Sequence, residues 1–263
     1  MKNTEKRPYL ACSLIGCLLS APLATAGELG PLTPPARFRP VVTLTGGAAW
    51  INTTQSQTFS GTDGELFAYH RNNSNHTTGL VGAFLGIEHP LQNPNFLVQA
   101  GLEYTYFGGA NVGGLNSVGI EPNTSTLYQY NYHIQTQQAL VVAKLLTTMH
   151  DVFHPYVSVG LGGAFHQASS FATSSTETGS LNLTPNYENR SQSAFSYSVG
   201  LGLDTNISER VRLGFGYRFS GFGEASLGKG QIELNQYAFP VPFGLNTSPL
   251  YANQFIAQLS YLA

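Results

Sequence analysis

The segment Phe195-Ser196-Tyr197-Ser198-Val199-Gly200-Leu201-Gly202-Leu203-Asp204 decides the fold. Phe195, Tyr197, Val199, Leu201 and Leu203 share one parity, and Ser196, Ser198, Gly200, Gly202 and Asp204 share the other. Successive side chains of a strand point to opposite faces, so the segment reads as a strand with one apolar face and one small, polar face. No helical i, i+3, i+4 stripe fits it.

Working outward, Val211–Ser220 repeats the pattern, with Val211, Leu213, Phe215, Tyr217 and Phe219 against Arg212, Gly214, Gly216, Arg218 and Ser220. Val98–Tyr106 does the same, placing Gln99, Gly101, Glu103 and Thr105 on the polar side. Noisier versions begin at Val42, Val81, Val157 and Phe255. A longer one, Leu127–Leu146, starts with Tyr128, Tyr130, Tyr132 and Ile134 as its apolar face. Keeping that parity would put Lys144 among the apolar residues, so a β-bulge near Gln137–Ala139 is expected to return it to the polar side. Eight strands result. Their GxG spacings superficially suggest a dinucleotide site, but no helical pattern follows them.

The connections alternate in length. His89–Asn95, Thr147–His154 and Thr205–Arg210 are short, whereas Thr53–Thr77, Gly108–Thr126, Ala168–Ser191 and Glu224–Leu250 are long and rich in Asn, Ser, Thr and Gly. Short turns at one end, long loops at the other and an even strand number describe an outer-membrane β-barrel. The expected fold is therefore all-β, an eight-stranded antiparallel up-and-down transmembrane barrel. Gln231-Ile232-Glu233-Leu234-Asn235 could add strand beyond the membrane or another hairpin.

Composition agrees with this reading. Only 10% of the 263 residues are charged, against about 25% in ordinary soluble domains, yet mean hydropathy is near zero. A barrel wall that alternates lipid-facing and lumen-facing side chains averages in that way, and its closure pairs every backbone polar group inside the hydrocarbon. A net charge of −2 without a basic cluster disfavours nucleic acid as a partner. Sixteen Phe and fourteen Tyr disfavour a disordered chain. Lumen-facing Gly82, Gly86, Gly160, Gly162, Gly200, Gly202, Gly214 and Gly216 suit a narrow barrel. Trp50, Tyr104, Tyr106, Tyr128, Tyr130, Tyr217 and Phe219 are expected to form one interfacial aromatic girdle, and Phe96, Tyr156 and Tyr261 the other.

The N-terminus divides the chain. Lys2, Lys6 and Arg7 precede the apolar run Leu10–Leu19 and the small-residue site Ala24-Thr25-Ala26. Residues 1–26 read as a signal peptide cleaved after Ala26, which sends the chain toward the cell envelope. Leu14-Ile15-Gly16-Cys17 resembles a lipobox, so lipidation of Cys17 is the alternative. Both cysteines, Cys12 and Cys17, fall inside this segment. Residues 27–37 are a proline-rich periplasmic lead, and residues 38–263 the barrel.

His154-Pro155-Tyr156-Val157-Ser158-Val159-Gly160-Leu161-Gly162 and Val211-Arg212-Leu213-Gly214-Phe215-Gly216-Tyr217-Arg218 carry a family resemblance. Residues 38–263 resemble the small eight-stranded outer-membrane barrels of the OmpA transmembrane-domain, OmpX and opacity-protein group. The resemblance implies a bacterial outer-membrane location with the loops at the cell surface. One departure is the end Tyr261-Leu262-Ala263, since that group usually ends in an aromatic residue read by the insertion machinery. No peptidoglycan-binding module is expected after the last strand.

Chemistry is sparse. Glu88, Glu103, Lys144, Asp204, Arg212 and Arg218 fall on lumen parity, and burial in a narrow lumen requires that they pair. The expected role of this network is a plug that stabilises the barrel; the alternative is a charged gate for small solutes. His150-Asp151-x-x-His154 lacks a third ligand, and His70 and His76 lie in a polar loop, so no metal or cofactor is expected. No residue pair has a recognisable catalytic setting, so no enzyme is expected. Phe59, Phe67, Tyr69, Leu115, Tyr187, Tyr237, Phe239 and Phe243 fall in the long loops. They are expected either to contact host surfaces, other extracellular ligands or the surrounding lipopolysaccharide, or to pack within their own loops. The expected function is thus a structural or surface-interaction barrel, with a small-solute channel as the alternative.

Overall fold

The computed structural model describes residues 38–53, 56–60, 66–71, 76–93, 95–119, 126–175, 184–234, 237–247 and 249–263. The signal-peptide, Cys17 and periplasmic-lead expectations lie outside them. Among the described residues thirteen strands form: β1 Arg39–Asn52, β2 Gln57–Ser60, β3 Leu66–Arg71, β4 His76–Pro90, β5 Phe96–Gly119, β6 Thr126–Thr147, β7 Phe153–Ser175, β8 Asn186–Tyr187, β9 Arg190–Asn206, β10 Val211–Gly223, β11 Ser226–Leu234, β12 Tyr237–Asn246 and β13 Leu250–Leu262.

Eight of them close a ring of antiparallel pairs, in the order β1-β4-β5-β6-β7-β9-β10-β13 and back to β1. The register measures the closure. Val41 pairs with Gly86, Gly86 with Gly101, Gly101 with Val142, and Val142 with Gly160. Gly160 then pairs with Ser198, Ser198 with Ser220, Ser220 with Ala252, and Ala252 with Ile51. One circuit therefore returns to β1 ten residues further along. With eight strands, a rise of about 3.3 Å per residue and a spacing of about 4.8 Å, this stagger sets a strand tilt of about 40° and a backbone radius of about 8 Å. Such a barrel has room for side chains only.

The two faces of β9 follow the sequence pattern. Phe195, Val199, Leu201 and Leu203 are exposed on the outside, and Ser196, Ser198 and Asp204 are buried within. Val81, Leu85, Leu102, Val141, Val157, Leu161, Phe215 and Leu259 continue the outer apolar belt around the ring. Short connections at residues 91–95, 148–152 and 207–210 mark one end. At the middle turn His150 and Asp151 both take left-handed backbone (φ 53° and 57°) while Met149 and Phe153 bridge across it. Such φ values match the right-handed twist of the strands that the turn joins.

β6 overturns two expectations. Its even-numbered residues face inward along its whole length, from Tyr128 to Leu146, and its register against β5 runs unbroken through Gln137–Ala139. No bulge lies there. Lys144 is inside by simple alternation, and so are Tyr128 and Tyr130, which therefore belong to no outer girdle. What changes mid-strand is the medium outside. Val141 and Leu145 face outward where the belt is apolar, whereas Gln129, Asn131, His133, Gln135 and Gln137 face outward further up. There the interior, not the exterior, must hold the aromatics. The irregularities occur in the neighbours instead, at Gly108–Gly109 of β5 and near Ser170 of β7, where φ is 60°. Tyr156 is also inside, 5% exposed, not in a girdle.

The long connections are largely built structure. β2 and β3 prolong the wall beside the upper half of β5, and β5 and β6 stay paired to Val118 and Thr126. β9, β10 and β13 stop lower, and a separate sheet, β12-β11-β8, stands on their side. The reserved possibility of an extra hairpin at Gln231–Asn235 is realised as β11–β12, outside the ring. Phe59, Phe67, Tyr69 and Tyr187 are buried in the cluster that this sheet covers, together with Phe107, Tyr128, Tyr130, Tyr132, Phe222 and Leu227. Leu115, Tyr237, Phe239 and Phe243 remain exposed. The eight loop aromatics and aliphatics thus divide evenly between packing and presentation.

Candidate functional site

The lumen carries the concentrated chemistry. Glu88, Glu103, Lys144, Asp204, Arg212 and Arg218 all point into it, each 8% exposed or less. They form three ion pairs, Arg212 with Glu88, Arg218 with Glu103 and Lys144 with Asp204. Both arginine pairs are forked. Arg212 donates from both terminal nitrogens to the two Glu88 oxygens, with Nη2 to Oε1 at 3.1 Å. Arg218 does the same to Glu103, with Nη2 to Oε2 at 2.9 Å. Planar guanidinium matches carboxylate in this geometry, and the fork fixes orientation as well as charge.

Neutral residues complete the network, and sequence reasoning did not single them out. Gln99 Nε2 donates to Glu88 Oε2 (2.8 Å), Arg212 Nε to Asn206 Oδ1 (2.9 Å) and Thr105 Oγ1 to Glu103 Oε1 (3.2 Å). Lys144 Nζ lies 2.7 Å from Asp204 Oδ2 and 3.7 Å from the Tyr156 ring centre, a cation over an aromatic face. It also donates to Gln258 Oε1, which accepts from the Tyr156 hydroxyl as well. Lumen parity is the only signal these partners share.

Glycine makes room for the ring. A Cβ on Gly202 would lie 2.6 Å from the Tyr156 hydroxyl, and one on Gly216 would collide with the same atom. Gly202 and Gly216 thus leave room for a tyrosine packed across the lumen, and Gly200 and Gly214 leave room for Ser158 and Asp204.

Above the ion pairs lies a neutral layer. Gln138 Nε2 donates to Ser196 Oγ, which donates to Gly221 O, and Gln254 Nε2 donates to Ser220 Oγ. His166 sits between Thr136 Oγ1 and Phe222 O. Next comes the apolar cluster, where Phe107 and Phe222 meet edge to face at 4.9 Å. The cavity left beside Glu103, Lys144 and Arg218 measures about 20 Å³, room for one water.

The cluster lies at the far end. Tyr69 meets Tyr130 at 5.2 Å and Phe171 meets Tyr187 at 5.0 Å, both edge to face. Arg71 donates to the Tyr132 hydroxyl and, at 3.0 Å, to Thr53 O. Burial raises the phenol pKa values of Tyr69, Tyr130, Tyr132 and Tyr187 above the ordinary range. The β11–β12 hairpin is clamped at its base by Ala225 N to Thr247 Oγ1 and Thr247 N to Ala225 O. Gln57 joins it to β2, donating to Gly244 O and accepting from Asn246 N.

The suspected metal motif comes apart. His154 points into the barrel with Nδ1 3.2 Å from Thr148 Oγ1, while His150 is exposed on the turn. Among the described residues no three His, Cys, Asp or Glu side chains are grouped to hold a metal ion.

A closed antiparallel barrel with an apolar outer belt, a lumen lined by paired charges and elaborated connections at one end defines a membrane barrel of outer-membrane type. The chain belongs to the outer membrane protein β-barrel domain family, whose model matches residues 13–261. Similar solved structures include OmpT, the outer membrane protease of Escherichia coli, at 8% identity and TM-score 0.48, covering 90% of this chain and 99% of that one. Neisserial surface protein A is similar at 10% identity and TM-score 0.37, covering 84% and 96%. Ail, the attachment invasion locus protein of Yersinia pestis in complex with a heparin analogue, is similar at 11% identity and TM-score 0.36, covering 85% and 99%. No curated protein matches the sequence.

Proposed function

We propose that this protein is a non-conducting outer-membrane barrel that holds an aromatic-cored head above the membrane for contact with surfaces outside the cell. The observation that carries this reading is the succession of buried side chains inside the ring, from paired charges through a glutamine and serine layer to the aromatic cluster, with a cavity of about 20 Å³ beside the ion pairs. A solute pathway requires an open lumen, so this filling supports a plug rather than a gate. The six charges then act as the internal brace of the barrel. Tyr237, Phe239 and Phe243 on β12, 73%, 52% and 45% exposed, supply the apolar contact surface, and such patches on a soluble face mark interaction sites. Pro240 lies in the same strand and cannot donate to an added strand, which favours side-chain contact over edge pairing.

Adhesion of cells expressing the chain to cultured host cells tests the reading. Replacing Tyr237 and Phe239 together by serine should lower adhesion severalfold without changing the amount of folded protein in the outer membrane; Phe243 is left in place because its ring also packs on Phe59. Equal adhesion by the variant would refute the assignment of this surface.

A further inference from the structure

A second surface lies on the outer wall, away from both lumen and hairpin. Gln135 and Gln137 of β6, Phe165 and Gln167 of β7, and Ser191 and Ser193 of β9 line an open cleft of about 440 Å³, which His166 and Gln192 also border. Register arranges them as two rows, Gln135–Gln167–Ser191 and Gln137–Phe165–Ser193. Their side chains face outward, with Phe165 48% exposed. None carries a charge.

Height identifies what faces them. Gln137 is ten residues above Thr147, the last residue of β6 at the short-turn end. Ten residues at about 3.3 Å each and a tilt of about 40° rise about 25 Å, the height of the apolar band of an outer-membrane barrel. The next row down, Ala139–Gly163–Phe195, is still apolar. The cleft therefore begins where hydrocarbon ends and the headgroups of the outer leaflet start.

Two of its amides are already oriented. Tyr104 donates to Gln137 Oε1 (2.7 Å), a bond that uses the acceptor of Gln137 and not its Nε2 donors. Gln135 Nε2 donates to Phe107 O (2.9 Å), which leaves Gln135 Oε1 as an acceptor. Fixed amide donors and acceptors, serine hydroxyls and an exposed aromatic face suit a ligand that is rich in hydroxyls and has apolar ring faces. Phosphate would instead call for Arg or Lys forks.

We propose that this cleft binds the headgroup sugars of the surrounding outer-leaflet glycolipid, with Phe165 as stacking platform and Gln135, Gln137 and Gln167 as hydroxyl partners. The site fixes the barrel laterally against its lipid neighbours and is independent of the hairpin surface.

Saturation-transfer NMR tests it, using the full folded chain in detergent micelles and a delipidated, dephosphorylated oligosaccharide from rough lipopolysaccharide. Wild type should transfer saturation to the sugar ring protons. Phe165→Ala should weaken the transfer at least fivefold, and Gln137→Leu with Gln167→Leu should do likewise. Arg190→Ala, one register step above on β9 opposite Ala168, should leave it unchanged. Each variant is compared at equal folded fraction, measured by resistance to unfolding in SDS. No transfer in wild type, undiminished transfer in both cleft variants, or loss on Arg190→Ala alone would overturn the assignment.

Discussion

Arg218→Ala should unfold the membrane barrel far more readily than any surface substitution. The Arg218 and Glu103 side chains are 5% and 3% exposed, and two N–H···O contacts join them. Removing the guanidinium leaves a buried carboxylate that keeps the Thr105 hydrogen bond but has lost its counter-charge, with only the few waters that the vacated space admits in its place. Breaking a buried pair from one side costs about 3–5 kcal/mol, two to nearly four orders of magnitude in the folding equilibrium. The double variant Glu103→Leu with Arg218→Met removes both charges at similar volume. It should restore stability to the wild-type level or exceed it by about 1–4 kcal/mol, because a buried pair loses as much by desolvation as it gains by attraction. Urea titration from phospholipid vesicles measures both, with Trp50 as reporter. It is the sole tryptophan and meets Phe255 on the outer face. A cost below about 1 kcal/mol for Arg218→Ala is the value of a hydrated surface pair. That result would refute a dry, sealed lumen.

Two further expectations follow from the packing. Gly202→Ala should destabilise the barrel by about 1–3 kcal/mol, an overpacking cost, since its Cβ meets the Phe215 carbonyl oxygen as well as the Tyr156 ring; the same urea titration checks it, and pairing it with Tyr156→Leu should recover only the part due to the ring. The head should loosen in alkali before the barrel does. Tyr69, Tyr130, Tyr132 and Tyr187 have phenol pKa values raised by burial, so the native head keeps protons that the unfolded head releases above about pH 10. Its stability is therefore full below pH 10 and falls as pH rises further. Tyrosinate absorbance should rise cooperatively with protease cleavage of the head, whereas independent, ordinary titration of these four residues would contradict their burial.

How far the sequence discloses the molecule depends on whether a strand's surroundings stay constant. β9 and the membrane part of β10 pass from one end of the belt to the other with lipid outside and packed polar groups inside, so parity alone assigns their faces. β6 continues from lipid into water with the same backbone alternation. Its hydropathy inverts between Gln135 and Val141 while its geometry does not, which mimics a bulge. Extended walls escape notice for a related reason. Gly113, Gly114, Asn116 and Ser117 have loop composition, yet β5 carries them as strand, because neighbouring strands pair their backbone on both sides. Parity placed the six lumen charges on one face but says nothing of partners, which depend on the stagger of ten around the ring. Residue type alone points Tyr156 to the girdle, but its parity with Ser158 and Gly160 is inward. The pairing of β11 with β12 has a local alternation in Gln231–Asn235, but its seat over the aromatic cluster is a tertiary property.

Planar-bilayer conductance of the purified full chain tests the sealed lumen most directly. A barrel of about 8 Å backbone radius whose interior is filled by paired charges and aromatics predicts no discrete current steps across a wide voltage range, with detergent alone as baseline. Arg218→Ala also predicts none, because the glutamine layer and the head still close the path. Reproducible single-channel steps from the wild-type protein would contradict the plug and establish the charged gate in its place.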